Sequence, residues 1–203
     1  MKIVAKIFFL GILTAFLAIV FEQLAAVAAQ FFSSQEIILQ FYKNITWFLF
    51  LAVIIEEGLK YIALYLAVWE KFKLRRKKFI AASFFFGVSF GLAEISLVFF
   101  SNPDTGILAR NLDREIMISL SSIVLIQAAT SFLVGSLIAT QEKIRRFSFL
   151  KILIFPALIH LLYNFLVIQK GNYTDFLVLA TLVISYLISL IIIAANWRGI
   201  ARQ

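Results

Sequence analysis

Eight polar side chains able to exchange protons or orient a reactant lie inside otherwise apolar stretches of this chain: Glu22, Glu56, Glu57, Lys60, Glu94, Gln127, His160 and Asn164. A charged residue at the centre of a bilayer costs about 2.5 to 3.5 kcal/mol on insertion scales, so such groups must pair, face a polar interior or react. Glu56 and Lys60 stand four residues apart, as do His160 and Asn164 and also Phe90 and Glu94, so each pair shares one helical face. Glu56, Glu57 and Glu94 with one imidazole and two amides suffice for hydrolysis: one carboxyl holds a proton while another accepts one from water. The simplest assignment makes Glu56 or Glu57 the general base and gives Glu94 the orientation of the water. His160 and Asn164 then stabilise the oxyanion, where a single well-aimed donor is worth about 3 to 4 kcal/mol. Lys60 supports the acidic pair as a counter-charge. Glu22 has no companion at helical spacing, and a structural or snorkelling role is expected for it.

Positioning these groups falls to helices that cross a membrane. The 203 residues are 63% hydrophobic, with 23 phenylalanines, far above the ~45 to 50% apolar content of soluble domains. A bilayer core about 30 Å thick needs ~20 apolar residues of helix. Six stretches meet that length: 7–32, 45–69, 79–100, 116–140, 149–168 and 175–196. The expected fold is therefore an all-α, polytopic transmembrane bundle of about six spans, with residues 1–203 forming one integral-membrane domain. Lys2 and Lys6 before an apolar run resemble a signal peptide, but the run is too long and is read as a retained span. The absence of cysteine excludes disulfides, thiol nucleophiles and Cys-based metal centres.

Orientation follows from Lys and Arg. Fourteen of the nineteen fall on one side: Lys2 and Lys6, six between Lys71 and Lys78, Lys143, Arg145, Arg146 and Lys151, then Arg198 and Arg202. Lys43, Arg110, Arg114 and Lys170 fall on the other, and Lys60 lies within a span. Positive loops stay inside, which places both termini in the cytoplasm. The basic run at 71–78 is topogenic and suited to anionic headgroups; without a nucleic-acid module the net charge of +8 does not argue for nucleic acid. At 1.5 Å per residue, Glu94 and His160 lie roughly 9 to 12 Å from the outer boundary. Ser83, Gly87 and Gly91, spaced by four, allow a neighbouring helix to approach closely and are expected to bring Glu94 toward the second span.

Taken in order, Glu56-Glu57-Gly58-Leu59-Lys60 resembles the EExxK motif, Phe90 to Glu94 the FxxxE motif and His160 to Asn164 the HxxxN/D motif of PrsW-type intramembrane proteases. That group is related to the CAAX prenyl endopeptidases and bacteriocin-processing proteases. The resemblance runs from about residue 50 to 166. It implies an endopeptidase that cuts a membrane-anchored protein, in some relatives an anti-sigma factor on its extracytoplasmic side, in the cytoplasmic membrane of a bacterium or archaeon. Its catalytic residues would be Glu56, Glu57, Glu94, His160 and Asn164, supported by Lys60, Phe90 and Gln127. One departure stands out. Family members usually carry a further His eight residues ahead of a Gly; here Gln127 stands eight residues before Gly135. A glutamine does not exchange a proton near neutral pH and is a poor ligand for transition metals.

Families of this kind are often described as metalloproteases, and Glu57, Glu94 and His160 form an acceptable ligand set for zinc with one open position. With a single histidine in the chain and no HExxH, a metal-free glutamate mechanism is the preferred expectation. Two rivals use the same residues. A non-catalytic scaffold or immunity-type protein would bind a membrane peptide without cutting it. A proton-coupled transporter would use the Glu, Lys and His side chains as a relay, although neither inverted repeats nor Gly/Pro-broken spans are present.

Overall fold

The computed structural model describes residues 2–32, 45–70, 74–101, 114–141, 148–169 and 173–196. Six α-helices account for nearly all of them, with no strand among the described residues. They are α1 (Lys2–Phe32), α2 (Ile45–Ile62), α3 (Arg76–Ser101), α4 (Arg114–Thr140), α5 (Ser148–Gln169) and α6 (Thr174–Ala195). α2 continues into a π-helical segment, Ala63–Glu70, immediately after Lys60. Such wide turns cluster near functional positions. Each apolar stretch read from the sequence is a helix whose ends fall within a few residues of the expected ones.

Five helices, all but α2, are long and apolar enough to cross a membrane by length and composition. The three charges of α2, Glu56, Glu57 and Lys60, fall within its eighteen residues. Burial follows the logic of a lipid solvent. On α6 the buried positions include Thr181, Ser185 and Ser189, whereas Leu179, Ile184, Leu190 and Ile191 are exposed. Small hydroxylated residues let helices pack, and their hydroxyls return to their own backbone, as Thr181 Oγ1 does to the Leu177 carbonyl at 2.8 Å. An outer surface of Leu, Ile and Phe needs acyl chains around it.

The most extensive packing joins α3 to α4, and α1 lies along α3 on its other side. Glycine sets both distances. A Cβ on Gly87 would stand 2.7 Å from the Ala128 Cα, and one on Gly91 would stand 2.8 Å from the Val124 Cα. The small-residue stripe therefore seats α3 on α4; it does not draw α3 toward the second span as expected. Gly11 of α1 likewise meets Ser89 and the Phe86 carbonyl of α3. Phe79, Phe86, Leu64, Val68, Val134, Ile138 and Ile152 fill the common core. α2 lies between α1 and α5. Pro156 stands inside α5, one turn ahead of His160, where its missing N–H relaxes the helix.

Candidate active site

Lys60 is the anchor of the site. Its side chain is fully buried, 0% exposed, and an ammonium has three donors to satisfy. Nζ donates to Glu57 Oε1 at 2.7 Å, to Thr130 Oγ1 at 3.1 Å and to Gln127 Oε1. The Phe90 ring lies beneath it, 4.7 Å from Nζ to the centroid, close enough for a cation–π contact. Phe90 thus has a physical reason to sit one turn before Glu94 on α3: it packs against the cation.

Glu57, 1% exposed, shares Oε1 between Lys60 and the His160 Nδ1 at 2.8 Å. This carboxylate–imidazole contact holds the ring from behind and turns Nε2 toward Glu56, whose Oε2 lies 3.8 Å away. Gln127 ties the remaining carboxyls together. Its two amide hydrogens serve Glu56 Oε2 at 3.0 Å and Glu94 Oε2 at 2.6 Å, while its carbonyl accepts from Lys60. The Gln127 amide is thus a crosslink between helices α2, α3 and α4. Seven expected residues converge: Glu56, Glu57, Lys60, Phe90, Glu94, Gln127 and His160. Asn164 lies half-buried one turn beyond His160, and none of its hydrogen bonds, among the described residues, joins this network.

Two residues join that the sequence reading did not place. Thr130 supplies the third acceptor for Lys60. Glu22 of α1, half-buried, lines a cavity of about 330 Å³ together with Glu56, Glu94, Gln23 and Phe90. Its Oε1 is buried without a hydrogen-bond partner. Of the two roles expected for Glu22, structural or snorkelling, this inward placement excludes the snorkelling one. An acidic residue within an otherwise apolar span was the available signal. The cavity is polar where Glu56 and Glu94 face it, and it is roomy enough for several waters, each of which needs ≳10–15 Å³ of this kind of volume.

The expected metal ligands can be tested on this geometry. Glu57 spends Oε1 on Lys60 and His160, Glu94 Oε2 accepts from Gln127, and an ammonium stands 2.7 Å from Glu57, where a second cation would be repelled. Among the described residues no group of three or more His, Asp or Glu side chains converges as a ligand set.

Membrane-length helices wrapped around a buried network of carboxylates, ammonium and imidazole define an integral membrane protein with a polar chamber inside it. A family model described as PrsW family intramembrane metalloprotease matches residues 1–193 of the 203, and the chain belongs to that family. It is accordingly an intramembrane protease, a hydrolase whose substrates are membrane proteins met within the bilayer. No curated protein and no solved structure matches the chain.

Proposed function

We propose that this protein hydrolyses a peptide bond of a membrane-anchored protein with water activated by a glutamate. Glu56 is the base, because it alone of the paired glutamates lines the water-sized cavity. A water held between Glu56, Glu94 and Glu22 gives its proton to Glu56 as its oxygen bonds to the scissile carbonyl carbon. His160, aligned through Nδ1 by Glu57, and the amide of Asn164 on the same helical face stabilise the oxyanion. The carbon–nitrogen bond then breaks as Glu56 passes the proton to the departing amine. Lys60 keeps Glu57 in place and Gln127 spaces Glu56 from Glu94; neither touches the substrate.

In the topology expected from the Lys and Arg distribution, with both termini in the cytoplasm, this chamber would lie in the outer half of the membrane. That depth suits cutting near the extracytoplasmic face, and an anti-sigma factor anchored by one span is a fitting substrate. The observation that carries the reading is the convergence of Glu22, Glu56 and Glu94, from three helices, on one cavity backed by His160 and Gln127. Mass spectrometry of membrane-protein N-termini, in cells carrying the wild type or Glu56→Gln, tests it. New termini present with the wild type and lost in the variant are expected. Termini that persist in the variant would overturn the assignment.

A further inference from the structure

Four consecutive cations, Arg75, Arg76, Lys77 and Lys78, stand at the N-terminus of the 26-residue α3, which has no acidic residue in its first turn. Positive charge at the positive end of a helix dipole is unfavourable. The first backbone bond runs from Phe79 N to the Arg75 carbonyl at 2.9 Å, so the N–H groups of Arg76 and Lys78 have no acceptor within the helix. Arg76 is nonetheless only 8% exposed, at the residue where α3 opens a candidate membrane span. It shares a helical face with the buried Phe79 and Ile80, and its Nε is enclosed without a hydrogen-bond partner. None of the ion pairs among the described residues includes it.

A buried cation needs an opposite charge or a full set of acceptors. Among the described residues the one carboxylate at this end of the bundle is Glu70, which is exposed and lies beside the Tyr65 hydroxyl. Gln141 Oε1, just past the end of α4, is also buried without a partner, but a neutral amide would not discharge a guanidinium. The missing partner is an anion with several acceptor oxygens. Side chains lean toward the N-terminus of their helix, so the Arg76 fork and the free N–H groups of the first turn are directed to the same place. A phosphate suits both, since a helix N-terminus favours it and a guanidinium grips it in two-pronged fashion. We infer that the start of α3 binds one phosphate group at the depth of the lipid headgroups, held by the Nη atoms of Arg76 and the first-turn N–H groups. A choline headgroup brings its own cation beside the phosphate, which Arg75 to Lys78 repel. The ligand therefore carries net negative charge: an anionic phospholipid headgroup or free phosphate. This is one ligand on one residue, unlike the diffuse attraction of a basic run, and it does not depend on the proteolytic reading.

Titration calorimetry on the full-length protein in neutral detergent tests this, with dioctanoyl phosphatidylglycerol, dioctanoyl phosphatidylcholine and inorganic phosphate as probes. At roughly 0.5 M salt the Debye length is about 4 Å, which suppresses attraction to exposed lysines but spares a buried contact. The wild type should bind about one equivalent of phosphatidylglycerol, at least about ten-fold more tightly than phosphatidylcholine. Arg76→Gln should weaken that binding about ten-fold or more, the usual effect of losing hydrogen bonds to a charged group, and Lys78→Gln, at an exposed position, by less than about two-fold. Competition separates the two sources. Inorganic phosphate that displaces the lipid at equal concentration marks soluble phosphate as the ligand; phosphate that fails to displace it at about 100-fold excess marks the lipid, and either result upholds the site. No saturable binding of any probe at this salt, equal affinity for the two lipids, or equal losses in Arg76→Gln and Lys78→Gln would each overturn the inference. The comparison of the two lipids on the wild type decides the matter even where Arg76→Gln does not fold.

Discussion

Replacing Lys60 by Met is the most revealing perturbation of the network, because the two side chains have similar length and the change removes the charge and its three donors. At 2.7 Å and an effective dielectric constant near 20, the attraction between Lys60 and Glu57 is about 6 kcal/mol. Much of that offsets desolvation of two groups exposed by 0% and 1%. Removing one partner of such a buried pair typically costs about 3 to 5 kcal/mol, since it strands the other charge. Glu57→Gln strands the ammonium and should cost a similar amount. In the double variant neither charge is stranded, and the neutral Gln still meets His160. Its loss of stability should therefore fall short of the sum of the single losses by at least about 2 kcal/mol. Reversible unfolding in bicelles, followed through the buried tyrosines or by steric trapping, measures all three variants. Additive losses, or a Lys60→Met cost under about 1 kcal/mol, would refute the claim that each of these two charges depends on the other for its burial.

Gln127→Leu should leave Glu56 and Glu94 without their shared donor and let them repel. It should lower turnover by about 100-fold, as loss of a supporting contact at a reactive centre commonly does, and Gln127→Glu should not rescue it because a carboxylate donates nothing to either neighbour. In Gly87→Leu a Cβ would press on Ala128 and Ser131 and force α3 off α4, lowering stability by about 1 to 3 kcal/mol in the same unfolding assay. Glu22→Gln keeps the shape of the water-bearing cavity but not its third carboxylate. A roughly ten-fold fall in kcat with substrate affinity unchanged is expected in steady-state cleavage measurements, since the residue faces the cavity proposed to hold the water.

The helices were legible because six apolar runs of membrane length admit few other structures, and Glu56, Glu57, Lys60, Glu94 and His160 were legible because charge at that depth needs a reason. Their partners were harder to see. Glu22 lies on a helix that is apolar on all sides, so no periodicity marks the face it turns inward. Its position beside Glu56 and Glu94 depends on α1 meeting α3 at Gly11, a tertiary contact. Thr130 was hidden for another reason. Hydroxyls in membrane helices usually bond their own backbone, as Thr14, Ser83 and Ser136 do here, and nothing in the sequence distinguishes the one that also accepts a lysine. Gln127 was noticed as a missing histidine, but an amide has both a donor end and an acceptor end, and only the geometry reveals that both are used. The small-residue stripe of α3 was correctly read as a close-packing surface; its partner, α4, was set by topology.

The direct test of the glutamate mechanism is single-turnover cleavage by purified protein in liposomes, using a membrane protein whose new N-terminus depends on the wild-type enzyme. Glu56→Gln should lower the cleavage rate by about 1,000-fold or more while the substrate is still captured within two-fold of wild-type affinity, because the base is lost and the shape of the site is kept. Cleavage by Glu56→Gln within ten-fold of the wild-type rate would contradict the account.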